Sequence, residues 1–237
     1  MSLAAVLNTL RANGSRRNVE GMARYGISSA KAFGVSAPVM HGLVKRIGTD
    51  HGLALQLWST KIHEARILSA LTGDPSRVTK SLMNTWVMDF DNWAVCDAAC
   101  SYLFDKTPFA YEMALAWTKR KEEFVRRAGF VLMAVLAVHD KNAADAPFLK
   151  FLPVIKRGST DVRNFVKKAV NWALRQIGKR NEKLNSAAIK MARNIRLMDS
   201  SSARWIAADA LRELESAAVK KRLRTKKALH DLARDRN

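Results

Sequence analysis

The segment Val166-Lys-Lys-Ala-Val-Asn-Trp-Ala-Leu174 decides the fold, because the chain contains related segments on both sides of it. Val125-Arg-Arg-Ala-Gly-Phe-Val-Leu-Met133, 41 positions earlier, has the same order of valine, two basic residues, alanine and an apolar run. A third copy, Arg204–Leu214, repeats the Ala-Leu-Arg of residues 173–175 at a distance of 37 positions. Self-similarity at this period is typical of helical hairpins that stack into a solenoid.

The rest of the chain has the same helical character. Apolar residues recur at helical spacing almost everywhere, and a degenerate earlier copy of the repeat is visible at Glu64–Leu71. The sequence therefore predicts an all-α fold: a right-handed or curved α-solenoid of HEAT-like helical hairpins with a basic concave groove. We expect residues 1–214 to form a single domain and residues 215–237 to be a basic C-terminal extension.

The charge of the chain indicates the class of partner. Its 237 residues include 41 Lys and Arg against 21 Asp and Glu, a formal net charge of +20. Such an excess favours a polyanion, nucleic acid before an anionic membrane, and it is hard to explain for a protein-binding scaffold. No apolar run reaches the roughly 18 residues of a membrane span, and no signal peptide is evident. We expect a cytoplasmic monomer that is nucleoid-associated when bound to DNA, with no membrane contact.

Metal and cofactor sites are not expected. The two cysteines, Cys96 and Cys100, are one helical turn apart, which suits buried small residues better than a disulfide or a zinc site. The five histidines show no metal-ligand spacing. The sequence therefore predicts neither a metal nor any other cofactor.

Trp93 and Asp97 pose a question in so basic a chain. At i,i+4 on a helix they share one face, with Cβ atoms about 5–6 Å apart. A carboxylate beside a polyanion is repelled, so either Asp97 points away from the partner or it meets a positive charge within that partner. Two further interpretations stay open: Trp93 as a core residue, and Asp97 as a surface residue paired with a lysine.

Several short motifs together carry a family resemblance, and they are spread in order over most of the chain. They are Met22-Ala-Arg-Tyr25 followed by Gly34-Val35, Gln56-Leu-Trp58, Trp93-x-x-x-Asp97, Phe124-Val-Arg-Arg-Ala128 and Phe165-Val-Lys-Lys-Ala-Val-Asn-Trp-Ala-Leu-Arg175. The chain resembles the HEAT-like-repeat DNA glycosylases of the AlkD type, which excise alkylated purines. It departs from that pattern at Asn92, where a second aromatic is expected, and after Leu214, where no counterpart is evident.

The resemblance implies a catalytic set and a set of DNA contacts. It implies hydrolysis of the N-glycosidic bond of positively charged N3- or N7-alkylated purines in duplex DNA, from the sugar-phosphate side and without enclosing the base. Asp97 would stabilise the oxocarbenium character of the sugar and position the water. The implied catalytic residues are Asp97, Trp93, Arg127 and Trp172, and the implied DNA-binding residues are Tyr25, Arg126, Lys168 and Arg175.

Alternatives remain for several of these residues. Trp172 could be a core residue, and Tyr25 suits a packing role as well as a DNA contact. Arg126 and Arg127 are adjacent and cannot share a helix face, so we expect at least one to be simply solvated. Lys168 and Arg175 lie at i−4 and i+3 from Trp172 and are expected to grip phosphates.

Two larger questions also stay open at this point. The basic run Lys220–Lys227 is either a solvated, partly frayed tail or a DNA contact. A non-catalytic HEAT-repeat protein that binds damaged or branched DNA is the alternative function, and retention of Asp97 and both tryptophans argues against it.

Overall fold

The computed structural model describes residues 1–27 and 31–234, apart from the side chains of Lys227 and residues 229–234. Within these residues the secondary structure is helical and contains no strand. The α-helices are α1 (Leu3–Ala12), α2 (Arg16–Arg24), α3 (Ala37–Ile47), α4 (His51–Ser59), α5 (His63–Thr72), α6 (Lys80–Met88), α7 (Trp93–Tyr102), α8 (Ala110–Trp117), α9 (Glu123–His139), α10 (Asp145–Gly158), α11 (Asn164–Gly178), α12 (Glu182–Arg196), α13 (Ser201–Leu214) and α14 (Ala217–Arg234). The all-α prediction is confirmed.

Short polar residues begin many of these helices. Their side-chain oxygens accept hydrogen bonds from the first backbone N–H groups, which have no partner inside the helix. The residues that act in this way are Ser2, Ser15, Asp50, Thr79, Asn92, Asn181 and Ser200.

The chain forms two compact units, Met1–Phe109 and a second that begins at Ala110. In the first unit α4 packs on α5, and α5 packs in turn on α3 and α7. The indole rings of Trp58 in α4 and Trp86 in α6 stack with centroids 4.0 Å apart and nearly parallel planes. The unit has an aliphatic core formed by Val6, Leu10, Met40, Leu43, Leu53, Leu57, Ala65 and Leu68.

The second unit consists of helical hairpins in two layers. The pairs α8–α9, α10–α11 and α12–α13 pack within each hairpin, while α9, α11 and α13 form one layer and α8, α10 and α12 the other. Close approach of α8 and α9 requires Gly129, since a Cβ atom there would lie 2.7 Å from the backbone nitrogen of Thr118.

The sequence repeats correspond to successive hairpins. Glu122, Arg163 and Ser200 directly precede α9, α11 and α13, at the spacings of 41 and 37 positions seen in the sequence. Hydrogen bonds between neighbouring hairpins reproduce this period: they join residues 38 positions apart at Arg127–Phe165 and 36 apart at Asn181–Asp145. The HEAT-like repeat prediction is confirmed.

The basic C-terminal segment is a helix over its described length. Val219 and Leu223, one turn apart in α14, are buried, so α14 packs on the rest of the unit. The described residues are therefore helical and not frayed, because two apolar side chains anchor the helix, while the basic side chains are solvated as one of the two interpretations expects. Residues 235–237 lie outside the described residues, as do the side chains of Lys227 and His230. Of the helices that the structure describes, none combines the length and hydrophobicity needed to cross a membrane.

Candidate nucleic-acid interface

Trp93 and Asp97 occupy the partly exposed side of α7. Trp93 is the first residue of the helix and Asp97 follows one turn later, so the indole and the carboxylate lie on one face, as predicted. Both are partly exposed. The opposite face is buried and consists of Val95, Cys96, Ala98, Ala99 and Cys100. The interpretation of Trp93 as a fully buried core residue is therefore excluded.

Asn92 fixes the start of α7 and hence the position of Trp93. It is buried, and its side-chain oxygen accepts hydrogen bonds from the backbone N–H groups of Ala94 and Val95 at 3.0 and 3.1 Å. Its amide nitrogen lies 2.7 Å from Asp91 Oδ1 and 3.4 Å from His63 Nδ1. Burial lowers the pKa of His63 and so favours its neutral imidazole. The residue that departs from the family pattern is thus a helix cap.

A hydrogen bond orients the indole of Trp93. Its Nε1–H group donates to the carbonyl oxygen of Tyr25 at 2.9 Å. Tyr25 follows α2 directly, and its own side chain is 72% exposed. The structure therefore brings Tyr25, Trp93 and Asp97 into one part of the first unit, and the exposed phenol does not support a packing role for Tyr25.

Glu64 holds the loop on which this arrangement depends. Its side chain is buried and accepts hydrogen bonds from three successive backbone N–H groups, those of Phe33, Gly34 and Val35. Gly34 has a φ of +74°, and a Cβ atom there would lie 2.3 Å from the carbonyl oxygen of Ser15. The loop thus packs against the start of α2, the helix that leads to Tyr25.

The two cysteines lie behind Asp97 on α7, and Cys100 is held as a neutral thiol. Burial is the main cause of the raised pKa of Cys100, and a hydrogen bond with Cys96 together with the carboxylates of Asp97 and Asp105 raises it further. Both cysteines are buried and neither forms a disulfide. They fill the core behind the helix, as the sequence predicts. Among the described residues no group of three His, Cys, Asp or Glu side chains could hold a metal ion.

Arg126 and Arg127 both have partners in the second unit. Arg127 is buried and its Nη1 donates to the carbonyl oxygen of Phe165 at 2.6 Å, while Arg126 forms an ion pair with Asp161 at 3.2 Å. The expectation that at least one is simply solvated is wrong. The carbonyl and the carboxylate that bind them come from the next hairpin along the chain.

Trp172 and Lys168 lie one turn apart on α11. Lys168 is exposed and Trp172 is partly exposed, so the interpretation of Trp172 as a fully buried core residue does not hold. Arg175 differs from Lys168, because its guanidinium lies 2.6 Å from Glu213 and 3.4 Å from Asp209. A phosphate would have to compete with two carboxylates for Arg175.

The predicted residues share a position in their helices. Asp97 is the fifth residue of α7, Arg127 the fifth of α9 and Lys168 the fifth of α11. The fifth residue of α13 is Trp205, which is 42% exposed and has Lys167 Nζ 4.9 Å from its ring centroid. Sequence reasoning did not select Trp205, although counting from the start of each repeat helix would have found it.

A family model for DNA alkylation repair enzymes matches residues 6–226. The chain belongs to the DNA alkylation repair enzyme family. This family assignment agrees with the all-helical repeat fold and covers nearly the whole chain, including α7, α9 and α11.

A solved structure shows the same fold as this DNA alkylation repair family member. It is described as one of a new family of proteins related to the HEAT-like repeat DNA glycosylases with affinity for branched DNA structures. The TM-score is 0.75 at 18% sequence identity, over 90% of this chain and 96% of the other. At that identity the likeness shows the fold. A comparison with curated protein sequences found no significant match.

Lys168 and Arg175 should behave differently when either is replaced by alanine. We expect Lys168→Ala to weaken binding to all DNA duplexes similarly and to lower the slope of log affinity against log salt by at most about one unit. Arg175→Ala should change the slope less, because two carboxylates already neutralise the guanidinium. Fluorescence anisotropy over a salt series measures both slopes, and Lys190→Ala, an exposed lysine on α12, is the control. Equal slopes for wild type and Lys168→Ala would place α11 away from DNA.

Proposed function

We propose that the protein is a monofunctional DNA glycosylase that hydrolyses the N-glycosidic bond of cationic N3- or N7-alkylated purines in duplex DNA. The observation that carries the proposal is the partly exposed pair on α7: a carboxylate one turn from an indole, in a chain with a net charge of +20. A site for ordinary phosphate contacts has no use for an anion. A site that acts on a positively charged nucleotide does.

The chemistry follows from where charge develops. The alkylated base leaves easily because it is already cationic, and the deoxyribose gains positive charge as the bond lengthens. A fixed carboxylate near C1′ stabilises that charge and favours the cationic lesion over undamaged bases. The face of Trp93 adds attraction to the developing sugar cation. Asp97 then orients the water that adds to C1′, and its carboxylate accepts the water proton, so no lysine nucleophile is needed.

The other predicted residues act on the DNA backbone in this proposal. Lys168 supplies an exposed positive charge and Trp172 a partly exposed ring, while the phenol of Tyr25 is exposed and its carbonyl oxygen binds Trp93. Arg126 and Arg127 take part by fixing the start of α9, since Asp161 and the carbonyl oxygen of Phe165 in the next hairpin bind them. The protein works as a cytoplasmic monomer on DNA of the nucleoid.

Release of 7-methylguanine from methylated duplex DNA tests this function directly. Excision that depends on Asp97 supports the proposal. DNA binding with no base release would instead favour the second candidate, a non-catalytic protein that binds branched or damaged DNA, which the description of the solved structure of the same fold suggests.

Substitutions of Trp93 separate its ring from its hydrogen bond. Trp93→Phe keeps an aromatic face and loses the hydrogen bond to Tyr25, worth about 0.5–1.5 kcal/mol, so excision should fall by at most about tenfold. Trp93→Ala loses both the aromatic face and the hydrogen bond, so its excision rate should fall further. Single-turnover rates with enzyme in excess measure the effect. Tyr102→Phe, which changes an exposed aromatic residue at the end of the same helix, is the control. Equal losses for Trp93→Phe and Trp93→Ala would show that the ring face has no part in the reaction.

A further inference from the structure

Helix α14 carries a dense positive surface that the proposed reaction does not use. Between Ser216 and His230 the sequence has no Asp or Glu. Among the described residues of α14, none of the cations forms an ion pair with a described carboxylate. These exposed cations are Lys220, Lys221, Arg222, Arg224 and Lys226.

The helix is fixed in place with these charges facing solvent. Val219 and Leu223 are buried against the unit, and Lys226 Nζ lies 3.5 Å from the carbonyl oxygens of Lys179 and Arg180. Val219 and Leu223, the large apolar residues with described side chains in this stretch, are used for packing. The exposed face therefore offers cations among small residues such as Ala218 and Thr225, which suits the phosphates of a nucleic acid rather than the apolar interior of a membrane or a hydrophobic protein surface.

Further cations gather at the same place. Arg180 donates to the carbonyl oxygens of Ala137, Lys141 and Ala143 at 2.7–3.2 Å, which holds its guanidinium at the end of α9. Burial lowers the pKa of Lys226, and the charges of Arg222, Arg180 and Lys141 lower it further. A bound polyanion would relieve this mutual repulsion.

This surface is separate from the fifth residues of α9, α11 and α13 in the second unit, which together are called the row of fifth residues. Arg127, Lys168 and Trp205 lie in the second turn of α9, α11 and α13, so a duplex that follows this row runs across the helices. Gly178, the last residue of α11, follows Lys168 by ten residues, about 15 Å along the helix axis. α14 passes that far end, where Lys226 meets Lys179 and Arg180. The cations of α14 and the row of fifth residues therefore lie at opposite ends of the same helix layer.

We propose that α14, with Arg180 and Lys141, binds a second duplex segment while the row of fifth residues binds the first. The partner is DNA in which two duplex arms meet, such as a junction. This inference rests on the proposed DNA binding and is independent of base excision. It makes α14 a determinant of DNA shape preference, because a straight duplex that follows the row across the helices lies about 15 Å along α11 from the end that α14 passes.

The test compares a four-way junction with a linear duplex of one arm's length. The variant Lys220→Gln/Lys221→Gln/Arg224→Gln removes three charges that line one open depression on α14 and leaves Lys226 in place to hold the helix. The control Lys150→Gln/Arg157→Gln/Lys190→Gln removes three exposed charges from α10 and α12. Affinities over a salt series and the thermal midpoint are measured for wild type and both variants.

We expect the α14 variant to bind the junction at least tenfold more weakly, with a salt slope lower by up to about three units, and to change linear-duplex affinity less than threefold. The control variant should change neither the junction affinity nor the linear-duplex affinity by more than threefold. Equal losses on both DNAs, or no loss on either, would overturn the inference. A wild-type protein that prefers the junction but releases no alkylated base would support it and overturn the glycosylase proposal instead.

Discussion

Asp97→Asn should lower the rate of alkylpurine excision by about 10²-fold or more, equivalent to about 2.7 kcal/mol of transition-state stabilisation. The amide has the shape of the carboxylate but no charge, so it cannot stabilise the developing sugar cation. Asp97 is partly exposed on α7, and folding and thermal stability should therefore change little. Single-turnover release of 7-methylguanine measures the rate, and a thermal melt checks the fold.

The same substitution should leave the binding of undamaged duplex unchanged or make it tighter, because a negative charge has left a surface that faces phosphates. Asp199→Asn is the control, since it removes a carboxylate that is fully exposed and paired with Arg204 at the surface. Its excision rate should equal that of wild type. If Asp97→Asn excises at the wild-type rate, the catalytic assignment is wrong and the non-catalytic DNA-binding function takes its place.

Glu64→Ala should be the most destabilising single change considered for the first unit. It removes a buried acceptor and leaves the backbone N–H groups of Phe33, Gly34 and Val35 without it. Hydrogen bonds to a charged group contribute about 1.5–3 kcal/mol each and are not additive, so we expect a loss of about 3 kcal/mol in the free energy of unfolding. For a chain of this size the thermal midpoint should fall by roughly 6–12 °C.

Replacement of Glu64 should also disturb the hydrogen bond that orients Trp93. The loop that Glu64 holds packs on α2, and the carbonyl oxygen of Tyr25 at the end of α2 accepts the Trp93 hydrogen bond. Excision measured well below the melting temperature should therefore fall more for Glu64→Ala than for Glu64→Gln, whose amide oxygen can still accept. Glu20→Ala, which removes an exposed carboxylate from α2, should affect neither property. If Glu64→Ala has the same thermal midpoint as wild type, the loop does not depend on this carboxylate.

The fold was predictable because its signals are local. Helical spacing of apolar residues and the recurrence of Val-basic-basic-Ala at 41 positions both lie in short segments that can be compared directly. The α7 face was predictable for the same reason, since an i,i+4 pair shares a face whatever surrounds the helix. The catalytic and DNA-binding roles of these residues stay predictions.

It was harder to predict that the arginines are already bound within the protein, because their partners lie one hairpin away. Arg175 meets Glu213 and Arg127 meets the Phe165 carbonyl, both 38 positions along the chain. Basic residues that recur in the sequence are therefore not all available to bind phosphate groups. Asn92 has the residue type of a helix cap, so its role was predictable from local sequence, although the family resemblance marked it only as a missing aromatic residue. Glu64 had no local signal, since three amides of a distant loop define its role.

The period of the hydrogen bonds in the second unit limits how such a chain can change in length during evolution. Contacts between hairpins join residues 34 to 43 positions apart, so each hairpin meets its neighbours at a nearly constant distance along the chain. A duplicated hairpin inserted whole would keep this spacing on both sides. An insertion of a few residues within a helix would shift every partner beyond it. Growth or loss in this part of the molecule should therefore occur by one hairpin at a time.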